Sequence, residues 1–299
     1  MLARIQQVIT ISLAASALLW MVIHWSTSPL LAVSGLLLIL LGYSAFLGLE
    51  FIALRMVGAE DTAPTPSTRQ LLRAWIGETL MAPRVFCWRQ PFRSNAIPDQ
   101  LGRPSAGSRR GVVLVHGFFC NRGFWTPWLK RLEEAGNPFV AVNLEPVFGS
   151  IDEYADTIEA AVQKVIRATG MPPVLVCHSM GGLAARAWLR KTGGGVHVHH
   201  VITIGTPHHG TWLGRFSKIA NGSEMRLSSA WLSELHTHEA GSNRCAFTCW
   251  YSNCDNIVFP VSSAALPGAD NRLVEGVAHV QLAFDARVLG GSLAIIGAL

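Results

Sequence analysis

Two apolar runs, residues 5–25 and 30–49, limit what this chain can become more than any other feature. Only Ser26, Thr27, Ser28 and Pro29 separate them, and neither run holds an Asp, Glu, Lys or Arg. A helix that crosses a bilayer needs about 20 mainly apolar residues, so each run suffices for one crossing. The gap between them is long enough only for a turn. The pattern predicts a transmembrane helical hairpin over residues 1–57 that meets the bilayer through residues 5–49. Trp20, Trp25 and Tyr43 stand where interfacial anchors are expected. A cleaved signal peptide is the competing reading, because Ala15-Ser16-Ala17 resembles a cleavage site. The apolar run continues past that point and a second run follows at once, which argues against it. Two buried core helices fit less well, since a globular core rarely needs so long a stretch almost free of charge.

Charge placement gives the hairpin a direction. The formal net charge is +5, and residues 55–110 carry all of it, with nine arginines against Glu60, Asp61, Glu78 and Asp99. Arg4 precedes the first run, and Arg55, Arg69 and Arg73 follow the second. By the positive-inside rule both ends are cytoplasmic, which puts the protein in the inner (cytoplasmic) membrane with two spans and its large domain on the cytoplasmic side. Basic residues just after a span suit an anionic membrane face and not nucleic acid; a solvated linker is the bland alternative. The six cysteines are scattered without zinc-like spacing and read as reduced, buried thiols, although Cys245, Cys249 and Cys254 lie loosely together.

Residues 58–110 read as a basic linker. Within it Leu71, Leu72, Ile76 and Leu80 predict an amphipathic helix over 69–81, and 91–110 reads as irregular. From Gly111 the pattern alternates. Strands are predicted at 112–116, 139–144, 173–177, 196–204 and 245–251, with helices at 125–135, 151–169 and after Gly182. Such alternation implies an α/β domain over 111–299, a mostly parallel twisted sheet with helices on both faces.

Ser179 sits where the 173–177 strand gives way to a helix, with Gly181 and Gly182 just beyond. A serine on so tight a strand–helix turn has the geometry of a nucleophile elbow, G-x-S-x-G, with Cys177 in place of the first glycine. Small neighbours are needed there because the two backbones nearly touch. His116 and Gly117 end the first strand, where backbone N–H groups can point above the sheet. The donors of an oxyanion hole then fall to Phe118 and Met180, with His116, Gly117, His178 and Gly181 in support. Asp255 follows the last predicted strand, and His279 is the only histidine after it. The order Ser179, Asp255, His279 suits a serine nucleophile, an orienting acid and a general base. An ordinary turn serine, a solvated carboxylate (with Asp270 as the next acid) and a structural histidine are the bland readings. His197, His199, His200, His208 and His209 also cluster, but strand alternation sends His199 and His200 to opposite faces, so no metal site is expected.

From about Arg110 onward the chain resembles α/β-hydrolases, in particular bacterial triacylglycerol lipases and esterases. Three segments carry the resemblance: Val-Leu-Val-His-Gly at 113–117, His-Ser-Met-Gly-Gly at 178–182 and Thr-Ile-Gly-Thr-Pro-His-His-Gly-Thr at 203–211. Residues 225–235 resemble the helical region near the active-site mouth of such lipases. The resemblance implies an α/β-hydrolase fold with an eight-stranded sheet, ester hydrolysis without an organic cofactor, and a Ser179–Asp255–His279 triad. Cys177 at the elbow and the compact lid region depart from the pattern. An apolar or lipid ester is the expected substrate, with Trp212, Phe216, Met225, Leu227 and Trp231 as an apolar entrance or as ordinary core. An acyltransferase, thioesterase or amidase would use the same residues, and a non-catalytic membrane scaffold or transport-associated protein would use none.

Overall fold

A computed structural model describes residues 1–102, 109–193, 197–239 and 245–298. Val196 and residues 103–108 of the stretch read as irregular lie outside them. Helix α1 (Leu2–Trp25) and helix α2 (Pro29–Val57) fold back on each other across a short turn. Ser28 caps α2 by accepting the Leu31 N–H, and Pro29 fills a first-turn position that needs no N–H. The hairpin is bare where a soluble helix would be covered: Ile11, Leu18, Leu19, Val22, Ile23 and Leu38 are all more than half exposed. Two long helices with exposed apolar sides fit a membrane hairpin. A third stretch, His279–Ala298, is also long and apolar enough to cross a membrane, but it is 33% buried against 6% for α1 and for α2. Its Val288 and Ile296 belong to the core under the sheet, so its apolar side already has a partner.

The base of the hairpin is fastened to the rest of the chain. Gln7 donates to the Pro91 carbonyl at 2.6 Å, and Trp75 donates to the Ser44 carbonyl at 2.8 Å. Phe51 and Leu54 of α2 pack with Ala74, Phe259, Val261 and Ala278 in a small separate core. Helix α3 (Thr68–Pro83) starts at a capping box made by Ser67 and Gln70. It turns Ala74 and Glu78 inward, while Leu72, Ile76 and Leu80 form a half-exposed stripe at four-residue spacing. Of the apolar residues legible in the sequence, Leu71 packs on the small core and the other three point away from the protein. A π-helical turn (Arg84–Arg89) and helix α4 (Gln90–Arg93) follow, so part of the stretch read as irregular is helical.

The sheet strands are β1 (Val112–Val115), β2 (Phe139–Ala141), β3 (Val174–His178), β4 (His200–Ile204), β5 (Ala246–Tyr251) and β6 (Asp270–Leu273). They lie in the order β2-β1-β3-β4-β5-β6, and every neighbouring pair is parallel. The helices among and after them are α5 (Thr126–Glu134), α6 (Ala155–Thr169), α7 (Met180–Thr192), α8 (Ala220–Glu224), α9 (Ala230–Glu239), α10 (His279–Leu282) and α11 (Ala286–Ala298). Alternation along the strands splits the core in two. Val113, Val115, Leu175 and Cys177 face α6 and α7, whereas Val112, Leu114, Val174 and Val176 face the layer that includes Trp128 and Val288. Among the described residues six strands form the sheet, not the eight that the resemblance implied. Among the described residues before β1 the regular elements are helices, the last ending at Arg93, and an isolated antiparallel bridge from Gln100 to Phe139 extends the β2 edge. Strand β6 escaped the sequence reading because Asp270-Asn271-Arg272-Leu273 is a polar edge with no apolar run.

Trp128 is fully buried, meets Trp125 edge-on, and donates from Nε1 to the Ala283 carbonyl at 2.7 Å, which ties α5 to the segment after α10. Trp128→Ala is expected to lower stability by about 3–5 kcal/mol, as for other large-to-small core changes. Trp128→Phe should recover most of that in thermal unfolding of the detergent-solubilised protein.

Candidate active site

Strand β3 is buried along its whole length and enters α7 through a single residue, Ser179, with φ 53° and ψ −129°. A non-glycine residue held there stores about 1–3 kcal/mol of strain and persists only if its surroundings over-determine it. They do. The Ser179 N–H donates to the Ile204 carbonyl at 2.8 Å, and its own carbonyl accepts from the Gly182 N–H at 3.0 Å and from Thr206 Oγ1 at 2.9 Å. The elbow also needs glycine for room. A Cβ on Gly181 would stand 2.5 Å from the Val115 carbonyl oxygen, and one on Gly117 would stand 2.7 Å from Ser179 Cβ. Cys177 is fully buried in the α6–α7 core, where burial pushes its thiol far up; it acts as a small apolar residue.

Asp255 lies in the loop after β5 and is 1% exposed. Its Oδ1 accepts the N–H groups of Ile257 (2.9 Å) and Val258 (2.8 Å), and its Oδ2 is 2.9 Å from His279 Nδ1. A carboxylate at that distance assigns the proton to Nδ1 and leaves Nε2 with a free lone pair. His279 begins α10, and its N–H donates to Asn256 Oδ1 at 3.2 Å. Its ring centroid is 4.7 Å from that of His178, the residue before Ser179. Burial pushes this imidazole down, but the charge and hydrogen bond of Asp255, with Glu78 behind, push it up by more, so it rises above 6.5. Among the described residues no hydrogen bond joins the Ser179 hydroxyl to His279. Nucleophile–base contacts are often longer before substrate binds than in the reacting complex.

Met180 is the first residue of α7, so its N–H has no partner within the helix. Phe118 and Phe119 form the turn after β1, with Phe119 at φ 54°. Beneath that turn His116 Nε2 accepts the Leu144 N–H at 3.0 Å, which leaves Nδ1 to donate to the Gly117 carbonyl at 2.9 Å. Burial drives His116 down to about 4, so it stays neutral and serves as a strut. His178 is likewise held well below its usual value by burial. It stacks on Phe124 at 4.5 Å, and its Nε2 donates to the His279 carbonyl at 3.3 Å.

Three residues here escaped the sequence reading. Glu78 of α3 is 2% exposed, and its two oxygens accept the N–H groups of Val280 (2.9 Å) and Gln281 (3.0 Å). Burial raises this carboxyl to about 7. Asn256 receives the His279 N–H and donates from Nδ2 to Glu50 of α2 at 2.6 Å. A signal for Glu50 was available: it is the only Asp or Glu among the first 54 residues, and an ionisable group at the end of an apolar span seldom lacks a role. The expected entrance residues divide. Trp212 stacks on Phe259, Met225 and Trp231 pack on the main core, and Phe216 stands 67% exposed. Among the described residues no three His, Cys, Asp or Glu side chains converge as metal ligands.

Gly181→Ala is expected to cost about 1–3 kcal/mol, because the clash is with backbone oxygens that cannot rotate away. Gly290 has open space around its Cβ position, so Gly290→Ala in α11 should be neutral or stabilising by up to about 1 kcal/mol. Paired thermal melts of the two variants check the contrast.

The mature form of lipase BlEst2 from Bacillus licheniformis superposes on the chain with a TM-score of 0.59 and 16% identity, over 66% of this chain and 96% of that one. Its propeptide form gives 0.54 and 18%, over 62% of this chain and 49% of that one, so the match spans about half of that longer protein. A Listeria innocua protein gives 0.50 and 12%, over 64% and 95%. At such identities the likeness is one of fold. Residues 112–285, more than half of the chain, match the Alpha/beta hydrolase family, and the chain belongs to that family.

Proposed function

We propose that the protein is a membrane-anchored serine hydrolase that cleaves carboxylic esters, lipase- or esterase-like, through an acyl-enzyme on Ser179. The observation that carries this reading is the 2.9 Å contact of Asp255 with His279 Nδ1, beside a serine held in a strained strand–helix turn. In this mechanism His279 Nε2 takes the Ser179 proton as Oγ attacks the ester carbonyl. Asp255 holds the imidazole tautomer and stabilises its cationic form. The N–H groups of Phe118 and Met180 receive the developing oxyanion, each contributing roughly 10²–10³ in rate. His279 returns the proton to the departing alcohol, and a water activated by the same imidazole then releases the acid. The lipase named among the similar structures supports an ester as substrate, and the bare hairpin supports a lipid-like one. The basic residues after α2 support an inner-membrane location with the hydrolase domain on the cytoplasmic side.

A labelled fluorophosphonate should modify the wild type and spare Ser179→Ala; equal labelling of both removes the reading. Because His279 must be neutral to act as base and lies above 6.5, kcat/KM should climb with pH through that raised value. Glu78→Gln removes one of the charges that raise it, so the climb should move to lower pH, as measured on the detergent-solubilised full chain. A reporter fused after Leu299 should behave as cytoplasmic, and a signal from the opposite side reverses the topology.

A further inference from the structure

We propose that the membrane hairpin itself supplies the acyl-chain site of this hydrolase: the tail of the ester lies between the bases of α1 and α2, reached sideways from the bilayer. The inference rests on the ester-hydrolase reading and adds where the apolar part of the substrate goes.

Two adjoining cavities carry it. The first, about 510 Å³, is walled by Gln6 and Ile9 of α1, Phe46 and Glu50 of α2, and Phe118 and Phe119 of the turn after β1. The second, about 530 Å³, shares Thr10, Phe86 and Cys87 with the first and continues past Leu13, Ala14, Ile39, Leu40 and Tyr43. Each falls within the ~300–1,000 Å³ typical of small-molecule sites. Together they follow the hairpin from the candidate oxyanion loop toward its membrane part, over roughly 12 Å of α1 at 1.5 Å per residue.

The near end touches the candidate chemistry from two sides. On one side stands Phe118, whose N–H is the proposed oxyanion donor. On the other stands Glu50, bonded at 2.6 Å to the Asn256 side chain that also receives the His279 N–H. Polarity falls along the path. Gln6 is 2% exposed; its Nε2 donates to the Phe119 carbonyl at 3.3 Å, and its Oε1 is buried without a partner. A buried acceptor left unpaired is unfavourable, and a hydroxyl in the alcohol part of an ester would satisfy it. Beyond Thr10 the walls are mainly aliphatic and aromatic, and the Tyr43 hydroxyl is already engaged with the Thr79 carbonyl. An ester with a polar head at Phe118 and a long hydrocarbon tail matches that gradient. The walls come largely from residues before 112, outside the segment that matches the family.

The test uses the full chain in detergent and an alkyl fluorophosphonate with a photoreactive diazirine at the far end of its tail. Ser179 Oγ bonds to phosphorus, the P–F bond breaks, fluoride leaves, and the serine proton passes to His279. After illumination, peptide mapping is expected to place the tail on Ile9, Thr10, Phe46 or Phe86. Adducts at Phe216 or Leu227, with Ser179 labelled, overturn the inference and leave the hydrolase reading standing. An unlabelled Ser179 removes that reading, and this inference with it. Ile9→Trp and Phe46→Trp give a second readout. The ratio of kcat/KM for p-nitrophenyl palmitate over butyrate should fall by about fourfold for each methylene displaced from the chamber. A ratio equal to that of the wild type in both variants overturns the proposal.

Discussion

A buried carboxylate beside a buried imidazole is unfavourable unless every remaining hydrogen-bonding atom is met, and the region around Asp255 and His279 is built to meet that demand. Two main-chain amides occupy one oxygen of Asp255, and His279 Nδ1 occupies the other. The backbone of His279 is held at both ends as well, by Asn256 at its N–H and by His178 at its carbonyl. Glu78 then binds the next two amides. The loop after β5 and the start of α10 thus have little freedom to move apart, which is what the proposed roles of Asp255 and His279 require of their scaffold.

The serine is held by a different device. Its strained backbone is tolerated because β3 lies inside a parallel sheet, paired with β4 along its whole length and with β1 from Val174 to Cys177. The adjoining glycines let that sheet and α7 approach within a distance that any side chain would block. His116, neutral through burial, fixes the neighbouring turn from below. Strain at the elbow is therefore balanced by packing on three sides.

Two of the supports for His279 come from outside the segment that matches the hydrolase family. Glu78 arrives on α3 and Glu50 on the second apolar helix. The base of the hairpin thus hydrogen-bonds, through Glu50, to the loop that carries Asp255 and Asn256. Leu72, Ile76 and Leu80 extend the apolar surface from the hairpin onto α3. Hairpin and candidate site share one wall, to which Gln6, Phe46, Glu50, Phe118 and Phe119 contribute.

Much was legible in the sequence because it rests on local periodicity. Runs as apolar as 5–25 and 30–49 leave few places to go except a bilayer, and the strand–serine–glycine pattern around Ser179 permits hardly any other turn. Alternating apolar segments after Gly111 announced the parallel sheet for the same reason. Strand β6 stayed hidden because a polar edge has no periodic signature, and among the described residues the sheet has six strands where the resemblance implied eight. What tertiary structure alone decided was adjacency. That Asp255 binds His279, that Glu50 reaches Asn256 across 206 positions, and that α3 turns its apolar stripe outward depend on how separate elements pack. Local sequence encodes which face of an element is apolar; which surface that face meets is settled only when the whole chain competes for burial at once.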